Sequence, residues 1–193
     1  HGDEGHPDQA LTYIWGPVWE SRQDFLLALP ICPAHNGSWW DSDTSSHADF
    51  IDDVLHDLAG SYNVDIDRVY AVGYSGGSTW LSWHAFEFQD IFAGIQWTCG
   101  GATPHYQAPP QEDCKVDGRF HIAADDFLWD GAQSTANAME NHGHEVAWAT
   151  ASCSGHCCTN TPDDAHEAMD WFLARTKCDS TAGAGCGFLD DLP

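Results

Sequence analysis

The chain has 193 residues, 42% of them hydrophobic, and this length and composition suit one globular domain with a single core. Its formal net charge is −24, with 30 Asp and Glu against only 6 Lys and Arg. A surface this acidic repels phosphate groups, so we expect neither nucleic acid nor anionic membranes as partners. Adaptation to salt and an ordinary acidic secreted protein are both consistent with this charge.

Strand-like and helix-like apolar patterns alternate along the chain. Five apolar segments predict strands, at residues 25–29, 69–72, 92–97, 119–124 and 145–150. Apolar residues at helical spacing predict helices at residues 51–58, 78–84 and 165–173. The last helix has Thr161 as a candidate cap and Pro162 in its first turn. This alternation predicts an α/β fold, with a mostly parallel sheet and helices on both faces.

A serine flanked by glycines is the most informative motif in the sequence. The segment Gly73-Tyr74-Ser75-Gly76-Gly77 lies between the second predicted strand and a predicted helix. A G-x-S-x-G pattern in this setting is typical of a nucleophile elbow, a tight turn that exposes a serine hydroxyl. The helix that follows directs its first amides at the same place, where they stabilise an oxyanion. The motif predicts Ser75 as a nucleophile and the Gly76 amide as an oxyanion donor.

Two downstream residues follow this serine in the order of a Ser-Asp-His triad. Asp125 stands at the end of the fourth predicted strand, and His156 lies in the loop after the fifth. The carboxyl ends of parallel strands share one edge of a sheet, so we expect the three side chains to meet there. Asp126 and Asp130 are nearby carboxylates, and Asp125 is preferred for its strand-end position. We predict that Ser75 attacks, His156 transfers the proton and Asp125 orients the imidazole.

A family resemblance extends over nearly the whole chain. It depends on these motifs and on residues 65–77, residues 90–95 and the Gly155-His156 pair. The chain resembles the secreted α/β-hydrolases that include poly(3-hydroxybutyrate) depolymerases and feruloyl or acetyl-xylan esterases. It is more distantly similar to cutinase-like polyester hydrolases. The resemblance implies an α/β-hydrolase fold and hydrolysis of carboxylic esters through an acyl-enzyme. It implies no cofactor and no metal.

The N-terminal residues match a further piece of this resemblance. In the family a strand ends in His-Gly, and the loop after it supplies the second oxyanion amide. His1 and Gly2 occupy that position here, so Gly2 and Asp3 are further oxyanion candidates. The strand that should precede them is absent from the sequence. Either it lies before residue 1 in the full gene product, or another segment fills its place in the sheet.

Aromatic residues near the strand ends are candidates for substrate binding. Too few residues separate the third and fourth predicted strands to form a lid domain, so we expect an open site that accepts a polymer or a bulky ester. Trp97 lies where the similar polyester hydrolases carry an aromatic clamp. Trp39 and Trp129 lie in predicted loops at the same edge, and Tyr74 precedes the nucleophile. Burial in the core is the alternative for these tryptophans.

Eight cysteines, an even number, predict disulfides and an oxidising, extracellular compartment. Cys178 and Cys186 are expected to close residues 176–193, a C-terminal extension of a single domain that spans residues 1–193. Cys99 and Cys114 are expected to close the loop where a lid would otherwise be inserted.

The remaining cysteines surround the candidate histidine. At least one of Cys153, Cys157 and Cys158 is expected to reach Cys32, since both loops follow predicted strands. Zinc bound by Cys153 and Cys157 is the alternative. Because the sequence contains no C-x-x-C pair, we predict no metal site.

The sequence therefore predicts a secreted, monomeric serine ester hydrolase. An open site with exposed aromatic residues favours aryl esters or polyesters such as polyhydroxybutyrate and poly(ethylene terephthalate). A plant cell-wall feruloyl or acetyl esterase is one alternative. An inactive binding protein with a hydrolase fold is the other.

Overall fold

The computed structural model describes residues 1–3, 7–33, 37–39, 44–84, 86–87, 91–104 and 115–177. Its strands are β1 (Tyr70–Tyr74), β2 (Gly94–Thr98), β3 (Asp117–Ala123) and β4 (Val146–Ala151). Its helices are α1 (Pro7–Ala10), a π-helical turn (Leu11–Trp15), α2 (Gly16–Arg22), α3 (Thr44–Ser61), α4 (Gly76–His84), α5 (Trp129–Asn141) and α6 (Pro162–Leu173).

The four strands form one parallel sheet in the order β1-β2-β3-β4. Tyr70 pairs with Gly94, Gly94 with Asp117, and Gly118 with Val146. Because all four strands run in the same direction, their carboxyl ends lie at one edge of the sheet. The loops after β1, β3 and β4 therefore meet at that edge.

Alternate strand residues pack against helices on opposite faces of the sheet, as the period of two in a strand requires. Ala71, Ile95 and Phe120 belong to a core with residues of α3, α4 and α5. Tyr70 and Val72 belong to a second core with residues of α1, α2 and α6. Burial of both faces is the arrangement expected of a parallel sheet, and it confirms the predicted α/β architecture.

Helix α6 begins where the sequence predicts. The Thr161 hydroxyl accepts a hydrogen bond from the Asp164 N–H, and Pro162 occupies the first helical position. The helix then buries residues at helical spacing: Ala165, Ala168, Met169 and Phe172. Local capping and apolar spacing are both strong here, which explains why the prediction succeeds.

Helices at two places were not predicted. The segment from α1 to α2 contains a Gly16-Pro17 step, and α5 buries mainly small or polar residues, Ala132, Thr135 and Ala136 among them. Helix α5 thus lacks the run of large apolar residues that a periodicity search detects, whereas the Gly16-Pro17 step interrupts the helical pattern of the first segment. Helix α5 also begins at Trp129, which the sequence analysis placed in a loop.

The strand predicted at residues 25–29 is wrong, because the structure assigns no regular element there. Phe25, Leu27 and Leu29 pack against the second core, whereas the side chain of Leu26 is 54% exposed. This alternation of burial imitates a strand pattern without the hydrogen-bond ladder that defines a strand. The continuous apolar run at residues 25–29 therefore predicts a strand where the chain only packs alternate side chains against the core.

Within the described residues, no helix is both long enough and apolar enough to cross a membrane. Residues 178–193 lie outside the described residues. The predicted link between Cys178 and Cys186 therefore stays a prediction.

Candidate active site

Ser75 lies in the sharp turn between β1 and α4. Its φ of 49° lies in the left-handed region, which few residues other than glycine adopt. A Cβ atom at Gly73 would lie 2.6 Å from the Ser78 nitrogen, and one at Gly77 would lie 2.8 Å from the His1 carbonyl oxygen. Both glycines of the G-x-S-x-G motif are therefore required by the close packing of this turn.

His156 lies opposite Ser75, in the loop that connects β4 to α6. Its Nε2 atom is 2.8 Å from the Ser75 Oγ atom, and its Nδ1 atom is 2.9 Å from a carboxylate oxygen of Asp126. When Nδ1 donates its proton to the carboxylate, Nε2 is the acceptor for the Ser75 hydroxyl. One chain of hydrogen bonds thus joins the three residues. This is the arrangement through which a base activates a serine nucleophile.

Asp126, not Asp125, is the carboxylate that contacts His156, so the prediction of Asp125 for this contact is wrong. Strand β3 ends at Ala123, one residue earlier than predicted, and the Asp126 N–H donates to the Ala123 carbonyl at 3.1 Å. This tight turn directs the Asp126 side chain inward, where it is 0% exposed. The same carboxylate accepts the Cys157 N–H at 3.4 Å.

The Asp125 side chain is exposed, and it binds the two residues that precede His156 in its loop. Its carboxylate accepts hydrogen bonds from the Ser154 hydroxyl and from the Gly155 N–H, the latter at 2.9 Å. These two donors, the hydroxyl first and the amide second, hold the pKa of Asp125 below its ordinary value. The two adjacent aspartates therefore bind successive residues around His156.

Two disulfides fix the His156 loop. The Cys99–Cys157 bond joins the loop to the residue that follows β2, across a sequence separation of 58. The Cys153–Cys158 bond closes the loop on itself across a separation of 5. The loop is therefore cross-linked both internally and to the sheet edge.

The two disulfides correct two predictions. The pairing of Cys99 with Cys114 is wrong because Cys99 is bonded to Cys157, and Cys114 itself lies outside the described residues. A bond from this loop to Cys32 is also wrong, because all three cysteines of the loop have other partners. The Cys32 thiol instead donates to the Ser38 carbonyl at 3.2 Å.

Three residues other than glycine have left-handed backbone at this site, with φ of 49° at Ser75, 46° at Cys99 and 55° at Cys157. Such conformations cost about 1–3 kcal/mol each and persist where the surrounding structure holds them. The disulfide between Cys99 and Cys157 holds two of the three in place.

Two of the three candidate oxyanion donors, Gly76 and Gly2, lie next to the serine. Gly76 is the first residue of α4, and the first amides of a helix have no acceptor within the helix. A Cβ atom at Gly2 would lie 3.5 Å from the Ser75 Cβ atom. The Asp3 carboxylate accepts the Ser38 hydroxyl at 2.8 Å. The donor roles of Gly76, Gly2 and Asp3 stay predictions.

Trp97 is a core residue, so its predicted role as an exposed aromatic clamp is wrong. Its side chain is 0% exposed and stacks on Phe120 with ring centroids 4.6 Å apart. Trp97 pairs with Gly73 inside the sheet, and β2 continues beyond it to Thr98. Strand alternation directs its side chain into the core formed with α3, α4 and α5.

The other predicted aromatic residues also pack inside the protein. Trp39 and Tyr74 are buried, and the Tyr74 hydroxyl accepts the Trp15 indole N–H at 3.0 Å. Burial raises the pKa of Tyr74 far above its usual range. Trp129 is partly buried and lies edge-on to Trp148, with ring centroids 5.0 Å apart. The prediction of Trp39 and Tyr74 as exposed binding residues is wrong, and Trp129 belongs to the margin of the first core.

One aromatic residue that was not predicted does lie beside His156. Phe127 is 70% exposed, and its ring centroid is 4.4 Å from that of His156. Its place directly after two aspartates at a strand end was visible in the sequence, but its exposure was not.

Among the described residues, no cluster of three or more His, Cys, Asp or Glu side chains has a geometry suited to a metal ion.

No family model matches the chain, and no curated protein matches it. Solved structures do. The Bacillus cereus carboxylesterase is similar with a TM-score of 0.67 and 16% identity, over 90% of this chain and 85% of that one. A pyrethroid hydrolase from Sphingobium faniae is similar with a TM-score of 0.54 and 15% identity, over 89% of this chain and 93% of that one.

A thermostable esterase aligns with 67% of this chain at 18% identity and a TM-score of 0.48, and the chain spans only 36% of that esterase. At identities this low, the likeness concerns the fold. The parallel sheet, the helices on both faces and the similarity to the Bacillus carboxylesterase lead to one conclusion: the chain has the α/β-hydrolase fold.

Proposed function

We propose that this protein hydrolyses carboxylic esters through a triad of Ser75, His156 and Asp126. The observation that carries the proposal is the continuous hydrogen-bond chain, with 2.8 Å between Ser75 Oγ and His156 Nε2 and 2.9 Å between His156 Nδ1 and Asp126. The serine lies at the start of α4, where helix amides favour negative charge. The similarity to a carboxylesterase supports the same reaction class.

In the proposed mechanism, the Ser75 oxygen forms a bond to the ester carbonyl carbon while His156 Nε2 takes the hydroxyl proton. The tetrahedral oxyanion lies at the Gly76 amide, with residues 2 and 3 as the candidate source of a second donor. The carbon–oxygen bond to the alcohol then breaks, and His156 returns the proton to the leaving oxygen. Water, deprotonated by the same imidazole, releases the acid from the acyl-enzyme.

An open site is part of the proposal. Strand β2 ends at Thr98 and β3 begins at Asp117, so the intervening segment is too short for a lid domain. Short acyl and aryl esters are the proposed small substrates. Polyesters such as polyhydroxybutyrate or poly(ethylene terephthalate) are the proposed polymeric substrates. Because Trp97 is buried, the support for aromatic polyesters now comes from Phe127. Feruloyl and acetyl esters remain the alternative substrate class.

We also propose that the protein works outside the cell as a monomer. The Cys99–Cys157 and Cys153–Cys158 disulfides favour an oxidising compartment. The net charge of −24 argues against nucleic acid and anionic membranes as partners.

The test is hydrolysis of a panel of p-nitrophenyl, feruloyl and solid polyester substrates at several salt concentrations. Ser75→Ala should lower kcat by about 10⁴-fold or more with the fold intact, as expected for loss of a triad nucleophile. Ser21→Ala is the matched control, because that hydroxyl bonds to the Val18 carbonyl within α2. Full activity in Ser75→Ala would overturn Ser75 as the nucleophile, and no turnover of any ester by the native protein would favour the inactive binding protein.

A further inference from the structure

Phe127 is both highly exposed and in contact with His156, and no other large apolar residue of the described chain combines these two properties. Its side chain is 70% exposed to solvent, and its ring lies 4.4 Å from the His156 ring with an interplanar angle of 41°. Burial of a phenylalanine side chain typically stabilises a protein by about 1.5–3 kcal/mol, and this position gives up most of that gain. Exposed aromatic surface beside a catalytic group is therefore a candidate contact for a ligand.

The turn that carries the triad carboxylate also fixes the position of Phe127. The Leu128 N–H donates to the Asp126 carboxylate at 2.9 Å, and the Trp129 N–H donates to the Asp126 carbonyl at 3.0 Å. Leu128 and Trp129 pack against the first core, whereas Phe127 extends in the direction of His156. The backbone on both sides of Phe127 is thus anchored, and its ring is presented to solvent from a rigid position.

The chemistry of ester cleavage assigns the two sides of the site to different parts of the substrate. The leaving oxygen must receive its proton from His156 Nε2, so the alcohol portion lies beside the imidazole. The carbonyl oxygen must lie near the first amides of α4, beside Gly76. A group that packs against His156 therefore meets the alcohol portion of an ester rather than its acyl portion.

We propose that Phe127 is the residue that selects the alcohol portion of the ester, and that it favours aromatic alcohols by stacking against their rings. This inference rests on the proposed esterase function. In the acylation step, the bond from Ser75 Oγ to the carbonyl carbon forms, the bond to the alcohol oxygen breaks, and the alcohol leaves with the proton carried by His156. Phe127 contacts the alcohol until it leaves, and takes no part in proton transfer.

The experiment uses two series of esters, one varied in the alcohol and one varied in the acid. In the first, benzyl acetate is compared with ethyl acetate, and in the second p-nitrophenyl acetate is compared with p-nitrophenyl butyrate. Phe127→Ala should lower the benzyl-to-ethyl ratio of kcat/KM by about 5- to 10-fold, the usual effect of one aromatic pair. The acetate-to-butyrate ratio should stay within about twofold. Phe127→Tyr should restore most of the benzyl preference.

A second measurement uses the reverse of acylation. Benzyl alcohol and ethanol compete with water for the acyl-enzyme formed from p-nitrophenyl acetate. Phe127→Ala should lower transfer to benzyl alcohol relative to ethanol by the same factor as in hydrolysis. Tyr13→Ala is the matched control, because Tyr13 is 69% exposed on the π-helical turn, and it should leave every ratio unchanged.

The outcomes separate this inference from the proposed function. An unchanged benzyl preference in Phe127→Ala, or equal changes in both ester series, would overturn the role of Phe127 while ester turnover itself persists. Absence of ester turnover in the native protein, with no phosphonate adduct on Ser75, would overturn the proposed function and this inference with it. Because Phe127 is mostly exposed, the variant should unfold at the same temperature as the native protein.

Discussion

The two sides of the candidate active site are held by different kinds of contact. On the nucleophile side, Ser75 lies in a turn so tightly packed that Gly73 and Gly77 admit no side chain. On the histidine side, the loop around His156 is largely exposed and is fixed by two aspartates and two disulfides. Where a loop has little core to pack against, carboxylates and covalent bonds supply the rigidity that burial supplies elsewhere.

This comparison predicts that damage to the two sides has different consequences. A change on the nucleophile side should destabilise the whole domain, because it disturbs the sheet and its core. A change on the histidine side should mainly lower activity, because it displaces the proposed catalytic base His156 while the core stays intact.

The largest effect is expected from the buried carboxylate. Asp126→Asn should lower kcat by about 10⁴-fold, because the amide favours the wrong imidazole tautomer and does not stabilise the imidazolium. Asp125→Asn should lower kcat by less than about tenfold, since that side chain contacts Ser154 and Gly155 instead. Steady-state kinetics on both variants checks this, with circular dichroism as the control for folding. Equal losses, or a larger loss in Asp125→Asn, would contradict the assignment.

The next effect is on stability and concerns the core next to the nucleophile side, where Trp97 of β2 pairs with Gly73. Trp97→Ala removes a fully buried ring stacked on Phe120 and should lower the free energy of unfolding by about 3–5 kcal/mol. Acetyl and aryl ester turnover should fall together as the folded fraction falls. Denaturant titration and both assays check this. A selective loss of aryl turnover in a stable variant would return Trp97 to the substrate site.

A smaller effect is expected from the long-range disulfide. Replacing Cys99 and Cys157 together by serine should lower kcat/KM by up to about 100-fold, because His156 loses its covalent link to the sheet edge. Replacing Cys153 and Cys158 should cost less stability, since that bond closes a separation of only 5 residues against 58. Thermal unfolding and kinetics on both double variants measure the difference. Full activity without the Cys99–Cys157 bond would show that the aspartates and the Cys153–Cys158 bond are enough to fix the loop.

The smallest effect concerns acid. The pKa of Asp125 is lowered by the Ser154 hydroxyl and the Gly155 amide, so its contacts stabilise the folded loop fully above the unfolded-state pKa of about 4. That contribution is lost as the pH falls through the lower, folded-state pKa. The difference in melting temperature between native protein and Asp125→Asn should be constant near neutral pH and should shrink below about pH 4. A melting-temperature difference that grows as the pH falls would contradict this prediction.

The sequence predicts the fold well because the strong local signals agree with it. The apolar strands, the Thr161-Pro162 start of α6 and the glycine-flanked Ser75 each depend on a few neighbouring residues. The meeting of the serine, the acid and the histidine at one edge then follows from the parallel sheet. Helix α5 escaped prediction because its buried face consists mainly of small or polar residues.

The remaining details depend on three-dimensional geometry that local patterns do not encode. Asp125 and Asp126 differ only in the side of a tight turn to which each side chain points. Cysteine spacing leaves the pairing open, and the sheet brings Cys99 to Cys157 from distant parts of the chain. For Trp97 the resemblance indicates a clamp and burial is the alternative, because a position near a strand end does not reveal how far β2 continues.

The most direct test of the triad is reaction with a serine-directed fluorophosphonate, followed by mass spectrometry of the digested protein. We expect one adduct, on the peptide that contains Ser75, and a rate of labelling at least about 10³-fold lower in Asp126→Asn than in Asp125→Asn. An adduct on another residue, no adduct at all, or equal labelling rates in the two variants would contradict the proposed Ser75–His156–Asp126 triad.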